Sequence, residues 1–316
     1  MALPRACKPA GLRRGAVLVS PAEPRMLSTL LQFLISGLTV GAVYALVALG
    51  FTLVYNASHV INFAQGEFVM LGGMLSALFI HSGIPPVWAI MLAIIIPALV
   101  GILMEKLAIE PVKGADTITL IIITLGVSLI IRGLVQVTLG KGTHTIPAFS
   151  GEAPLRVLGA TLPTQSLWVF GGTAVTVLLL WYFFTRTISG KAMLATAYNR
   201  VASELVGINT NWVLMMSFAL AAAIGAFGGV LVTPITMTSF DAGIMLGLKG
   251  FVAAVLGGMG NGLGAVIGGL LVGLIESTAA GYLSSAYKDA IPFILILFIL
   301  FFMPNGLMGA KTTDRV

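Results

Sequence analysis

From Leu27 to Met303 the sequence alternates between apolar runs of membrane-spanning length and short polar connections. A bilayer's hydrocarbon core is ~30 Å thick, and a helix needs ~20 residues to cross it. Runs of that order lie at Leu27–Tyr55, Val60–Ile80, Val87–Leu107, Thr117–Leu139, Leu167–Phe184, Trp212–Val232 and Gly262–Gly281. Leu246–Gly258 is shorter and reads as a half-helix. Ala290–Met303 is the last run, stopped by Pro304-Asn305-Gly306. Only 9% of the residues are charged and 58% are hydrophobic, whereas a soluble domain carries roughly 25% charged residues. Lipid must therefore be the solvent for most of this chain. The expected fold is all-α: a polytopic transmembrane helical bundle of about eight or nine membrane segments, since helices satisfy their own backbone in lipid.

Within that frame a few residues predict packing. Gly37 and Gly41 stand four apart on one helical face, a small-xxx-small contact for a neighbouring helix. Pro97 predicts a kink in the third run. Arg132 lies near one end of the fourth, where its long side chain is expected to snorkel to the interface. Basic residues in connections mark the cytoplasmic side. Lys106 and Lys113, then Arg186, Lys191 and Arg200, then Lys311 and Arg315, place 105–116, 185–211 and the C-terminal tail there. The 140–164 segment then faces outside, although it carries Lys141 and Arg156. This parity puts the N-terminus outside if 60–80 crosses once, and inside if that segment is broken.

The most distinctive stretch is Asn62-Phe63-Ala64-Gln65-Gly66-Glu67-Phe68-Val69-Met70. Amides and a carboxylate at membrane depth are costly and are rarely without a role. On a continuous helix Asn62, Gly66, Val69 and Gly73 share a face, with Gln65 beside it. Asn62, Gln65 and Gly66 are candidates for a polar substrate pathway, and Gly66 is a candidate break in the second helix. Glu67 projects elsewhere, with Phe63, Leu71 and Met74, toward a neighbouring helix. It stands close to a helix start, where the dipole favours a carboxylate. Glu67 and Glu276 are the carboxylates to explain, as helix-pairing or pathway groups.

Other chemistry is excluded by what is missing. Neither Gly140-Lys141 nor Gly190-Lys191 completes a phosphate-binding loop, so ATP is not bound in that manner. No Gly-x-Ser-x-Gly or His-Glu-x-x-His occurs, and no nucleophile or metal set stands out; the chain is not expected to be an enzyme or to need a cofactor. The single cysteine, Cys7, excludes a disulfide framework and a cysteine metal site. Of the net charge of +6, residues 1–25 supply most, through Arg5, Lys8, Arg13, Arg14 and Arg25 against Glu23. A nucleic-acid footprint is therefore unsupported. Residues 1–25 read as a disordered tail, or as an extension ahead of a start at Met26. Residues 311–316 read as a C-terminal tail.

The 185–211 segment is the second informative place. Ala192–Tyr198 reads as one short helix. A second runs from Asn199 as N-cap to Val206, with Gly207 just beyond its end. Two such helices suit a groove on a partner. An amphipathic loop lying on the lipid surface fits the pattern equally.

Several of these motifs carry a family resemblance. Gly37-Leu38-Thr39-Val40-Gly41-Ala42-Val43-Tyr44, Ile61-Asn62-Phe63-Ala64-Gln65-Gly66-Glu67, Glu105-Lys106-Leu107 with Pro111, Asn199-Arg200 through Gly207-Ile208, Ala253-Ala254-Val255-Leu256-Gly257-Gly258-Met259-Gly260, Tyr287-Lys288-Asp289 and Pro304-Asn305-Gly306-Leu307 together resemble the permease of branched-chain amino acid ABC transporters, the LivH type. The resemblance covers roughly 27–310 and implies one permease domain over 26–310 in a bacterial inner membrane. It implies a second homologous permease, two cytoplasmic ATP-binding subunits and an extracytoplasmic substrate-binding protein as partners, with membrane lipid around them. It makes 185–211 the loop that meets an ATPase, with Gly190, Lys191, Ala195, Asn199, Arg200, Glu204 and Gly207 as its residues. Gln65 stands where the family often has His, and Val201 and Ser203-Glu204 depart from its usual wording. The same family shape serves urea and short amides. From the residues alone, an ion-coupled transporter using Glu67 and Glu276 is the rival.

Overall fold

The first apolar run forms a helix, α1, over Ala22–Ser58. The computed structural model describes residues 22–309 apart from Lys113, Glu152 and Leu158. The expectations for residues 1–21 and 311–316, and for Lys113 and Glu152, lie outside the described residues. The remaining helices are α2 (Gln65–His81), α3 (Pro86–Met104), α4 (Thr117–Thr138), α5 (Thr164–Arg186), α6 (Ile188–Tyr198), α7 (Arg200–Leu205), α8 (Thr210–Thr236), α9 (Ala242–Gly257), α10 (Gly262–Tyr282) and α11 (Ile291–Phe302). Six of the described helices are long and apolar enough to cross a membrane: α1, α3, α4, α5, α8 and α10. The shorter α2, α9 and α11 complete an all-α bundle.

Connections sort the helix ends into two faces. One carries α6 and α7. There the Asn56 amide of α1 donates to Gly260 O, at 2.9 Å. Beneath α9, Leu307 N donates to Leu256 O and Met308 N to Gly257 O, so the chain after α11 is tied to the end of α9. The left-handed Gly306 (φ 72°) and Gly258 (φ 104°) let those two backbones meet. On the opposite face the 140–164 segment folds into a two-stranded antiparallel ribbon, β1 (Leu155–Val157) and β2 (Ala160–Leu162). Gln32, in the first part of α1, grips it: Thr161 N donates to Gln32 Oε1 at 2.7 Å, and Gln32 Nε2 donates to Thr161 O at 3.0 Å. His144 and Thr238 exchange backbone hydrogen bonds on this face.

α2 runs from the middle of the bundle to this opposite face, where His81 stands beside Thr145 and Gln165. No break occurs at Gly66: it lies inside the first turn of α2. The irregular backbone comes earlier, at 59–64, with His59 at φ 55°. Its turn is organised by Asn62, whose Oδ1 accepts from Ala64 N at 3.0 Å. The expected half-helix begins before Leu246, at Ala242, and its sixteen residues span ~24 Å. Pro97 sits buried inside a continuous α3. Beyond Met104 it continues through a π-turn over Glu105–Ile109 and a 3-10 turn over Glu110–Val112.

α1 and α8 form the centre, and glycines bring their neighbours close. Gly37 and Gly41 of α1 meet Gly273 and Gly269 of α10, which also stand four apart. A Cβ added at Gly273 would fall 2.4 Å from Gly37 O and from the Gly41 backbone. Lipid provides no hydrophobic drive between helices, so such close packing must supply the association. Gly273→Val is expected to cost at least about 2 kcal/mol by overpacking. It should appear as a lowered unfolding temperature in detergent, with Gly133→Val, where nothing lies within 4 Å, near neutral.

Candidate functional site

Two charged clusters lie inside the bundle. The first joins α2, α4 and α9. Glu67 is 1% exposed. Its Oε1 accepts from Arg132 Nη2 at 2.5 Å and from Ser128 Oγ at 2.9 Å. Thr124, Ser128 and Arg132 repeat every fourth residue, so α4 turns one polar stripe inward. Thr124 Oγ1 also accepts from Phe63 N at 3.2 Å, capturing the irregular backbone before α2. The snorkelling expected of Arg132 is thus corrected. Its side chain is 21% exposed, and its guanidinium turns to Glu67. A carboxylate left alone at this depth costs several kcal/mol, so the nearest cation is drawn inward. The other carboxylate oxygen, Oε2, faces Gly243 in the first turn of α9, where the helix dipole favours negative charge.

The sequence candidates around Glu67 part company. Asn62 and Gln65 are fully buried. Gln65 points away from Glu67, its Nε2 donating to Ala221 O of α8 at 2.9 Å. Gly66 is the crossing point with α9: an added Cβ would lie 2.0 Å from Gly243 O. Asn62 Nδ2, Gln65 Oε1, Glu67 Oε2 and Arg132 Nε have no hydrogen-bond partner among the described residues. Unmet polar atoms cost ~1–3 kcal/mol each, so this seam is held with less than full satisfaction.

The second cluster joins α1, α9, α10 and the segment before α11. Lys249 Nζ donates to Glu276 Oε1 at 2.7 Å and to Asp289 Oδ1 at 2.6 Å. Tyr44 OH donates to the other Glu276 oxygen at 2.8 Å. Glu276, Lys249 and Tyr44 are all buried. Lys249 was not singled out from sequence. The signal was available, as a lysine within an otherwise apolar short run. Tyr44 and Asp289 were visible only as parts of longer motifs.

The third place is the surface segment 187–209. Thr187 caps α6 by accepting from Gly190 N at 3.0 Å. Gly190 is where α6 turns back on α5, since an added Cβ would lie 2.1 Å from Phe183 O. Lys191 is exposed and Ala195 half-buried. Asn199 caps α7, accepting from Ala202 N at 3.0 Å. Gly207 (φ 87°) ends α7, with its N–H donating to Glu204 O. Glu204 Oε1 accepts from Thr210 Oγ1 at 2.7 Å and from Arg200 Nε at 3.4 Å. The Thr210 hydroxyl first, then Arg200, hold the Glu204 carboxyl below its ordinary value. Its contribution is present above the unfolded-state value and is lost as pH falls through the lowered one. Ile188, Tyr198, Val201, Leu205 and Val206 are largely exposed here.

Relatives share this chain's length. The family model described as branched-chain amino acid transport system / permease component matches residues 33–300. The high-affinity branched-chain amino acid transport system permease protein LivH of Salmonella typhimurium is 34% identical over 300 residues, covering 90% of this chain and 97% of its own. The high-affinity branched-chain amino acid transport system permease protein BraD of Pseudomonas aeruginosa is 32% identical over 302 residues, covering 90% and 98%. The ribose import permease protein RbsC of Haemophilus influenzae is 25% identical over 285 residues, covering 85% and 84%.

The first cluster predicts a double-mutant signature. Arg132→Met leaves the Glu67 charge buried and is expected to cost about 2–3 kcal/mol, at the low end for buried pairs because Arg132 is partly exposed. Adding Glu67→Gln should recover most of that loss in thermal unfolding. A double-variant loss equal to the sum of the Arg132→Met and Glu67→Gln losses would show the two groups to be uncoupled. Lys249→Met strands Glu276 and Asp289 together, and is expected to unfold the chain more readily than Arg132→Met does.

Proposed function

Because the chain belongs to the family of branched-chain amino acid transport permease components, we propose that it is a membrane-spanning subunit of an ATP-driven importer for branched-chain or related amino acids. It sits in a bacterial inner membrane beside a second, homologous permease. Two cytoplasmic ATP-binding subunits supply the energy, and an extracytoplasmic binding protein delivers the substrate.

The observation that carries this reading is the surface of α6 and α7. Two capped helices present Ile188, Tyr198, Val201, Leu205 and Val206 outward, interspersed with Lys191 and Arg200. A patch of large apolar side chains framed by charge marks an interaction site. α6 packs on α5, α8 and α1, so a push on the patch is passed to the core of the bundle. The segment is thus built as a lever between an ATPase and the helices, with Gly190, Lys191, Ala195, Asn199, Arg200, Glu204 and Gly207 forming or shaping it.

Alternating access then needs a seam that opens. The α2–α4 seam has the required character. It is polar, incompletely satisfied and backed by open space at Gly126 and Gly133. Movement of α4 away from α2 uncovers the 62–67 stretch, with Asn62 at its edge and Gln65 and Gly66 supporting it from behind. The ion-coupled rival is weakened because Glu67 and Glu276 are each committed to a cation of the chain itself. Substrate class rests on the relatives, among which a ribose permease also stands.

The full-length protein isolated from its native membrane is expected to bring down an ATPase and a second permease. Uptake that continues after that ATPase is inactivated would overturn the proposal. Arg200→Glu, and Gly207→Trp at its left-handed position, are expected to separate ATP hydrolysis from uptake while membrane insertion is unchanged. Normal coupled transport by both variants would remove 187–209 as the docking segment.

A further inference from the structure

α3 and α5 stand apart over α8, leaving a trough of about 780 Å³. Its walls are Val87, Ile90 and Met91 on one side and Trp168, Gly171 and Val175 on the other, with Phe227 and Leu231 as floor. Val87 and Val175 are more than half exposed, so the trough opens sideways, where lipid surrounds the bundle. Counted along the helices from the ribbon-bearing face it reaches ~8 Å at Met91 and ~16 Å at Val175, about the depth of one leaflet's chains.

The trough does not end blindly at that face. It shares Pro147 and Ala148 with a second recess of about 370 Å³. That recess carries His81, Thr145, Thr164 and Gln165 in its lining and, among the described residues, no lysine or arginine. His81 Nδ1 lies 2.7 Å from Ala77 O, so Nδ1 carries the proton in the neutral ring and Nε2 is an acceptor. Thr164 Oγ1 donates to Ala153 O at 2.6 Å and keeps lone pairs to offer. Trp168 stands at the junction, its Nε1 donating to Ser150 Oγ at 2.7 Å, as an indole at headgroup level does. An apolar trough joined to a small recess that offers the His81 and Thr164 acceptors has the shape of an amphiphile.

We propose that this continuous site holds one glycerophospholipid with an amine headgroup. Its acyl chains lie between α3 and α5, and its ammonium donates to the acceptors around His81. With no lysine or arginine among its described lining residues, the recess favours a zwitterionic headgroup over an anionic one. An acyl chain there props α3 and α5 apart on α8, the central helix that also packs on α6, so lipid occupancy bears on the bundle's core.

Gly171 supplies the test. Nothing lies within 4 Å of a Cβ added there, so a large side chain fills the trough without striking the fold. Gly133 on α4 is equally open but lies outside the trough. The protein, isolated with its associated subunits, would be placed in vesicles of phosphatidylethanolamine and phosphatidylglycerol carrying either lipid with a photoactivatable acyl chain. Labelling of Met91 and Val175 by phosphatidylethanolamine is expected in the native chain and in Gly133→Trp. It is expected to be lost in Gly171→Trp and reduced in Gly171→Leu. His81→Ala is expected to remove the preference for phosphatidylethanolamine over phosphatidylglycerol. Undiminished labelling in both Gly171 variants, labelling spread evenly over every lipid-facing helix, or cross-linking of the trough to a second permease would each overturn the proposal. Equal labelling of the native chain by the two lipids would overturn the headgroup assignment.

Discussion

Backbone touching backbone is the constraint on which this bundle depends. In lipid, apolar side chains gain little by leaving one hydrocarbon environment for another, so helices hold together through close packing. Here that packing is made at glycines. Gly37 and Gly41 mesh with Gly269 and Gly273, Gly66 crosses Gly243 and Gly247, and Gly257 meets Gly264. The result is a rigid centre of α1, α8 and α10, with the short helices α2 and α9 wedged against it. The close crossing of α2 and α9 is also what brings Glu67 against the first turn of α9.

Charges are then distributed by proximity. Once α2 is seated, its carboxylate is buried, and only a cation from the membrane interior can answer it. α4 provides Arg132 and in return gains its main polar attachment to the bundle. Lys249 does the same for Glu276, and its second carboxylate, Asp289, fastens the approach to α11. The two clusters differ in completeness. Both oxygens of Glu276 are engaged, whereas among the described residues Glu67 keeps one oxygen and Arg132 one nitrogen without partners. A finished network suits a fixed joint, and an unfinished one suits an element that moves. Under the proposed transport cycle, this contrast assigns movement to α4 and a fixed role to α9–α10.

Much of this was legible in the residues. The apolar runs predict the long helices because the bilayer sets their length, and the cap at Asn199 marks where α7 begins. Gly37 and Gly41 announce a close contact by their spacing, but not with which helix. The 62–67 stretch was harder. Treating it as continuous helix put Asn62 and Gly66 on one face, whereas Asn62 belongs to the turn before α2 and Gly66 to the helix itself. Helical spacing cannot report where a helix starts when the residues before it are equally apolar.

The sequence by itself determined the solvent, the class of fold and the family, because hydropathy over ~20 residues and local motifs are properties of neighbouring residues. It also marked the surface segment 185–211, whose Asn199 cap is local. Only the tertiary structure decided how the buried charges pair. Arg132 and Lys249 lie 65 and 27 residues from the carboxylates they meet. Which ions find each other at membrane depth depends on helix crossings set by glycines elsewhere in the chain, and no local pattern encodes that choice.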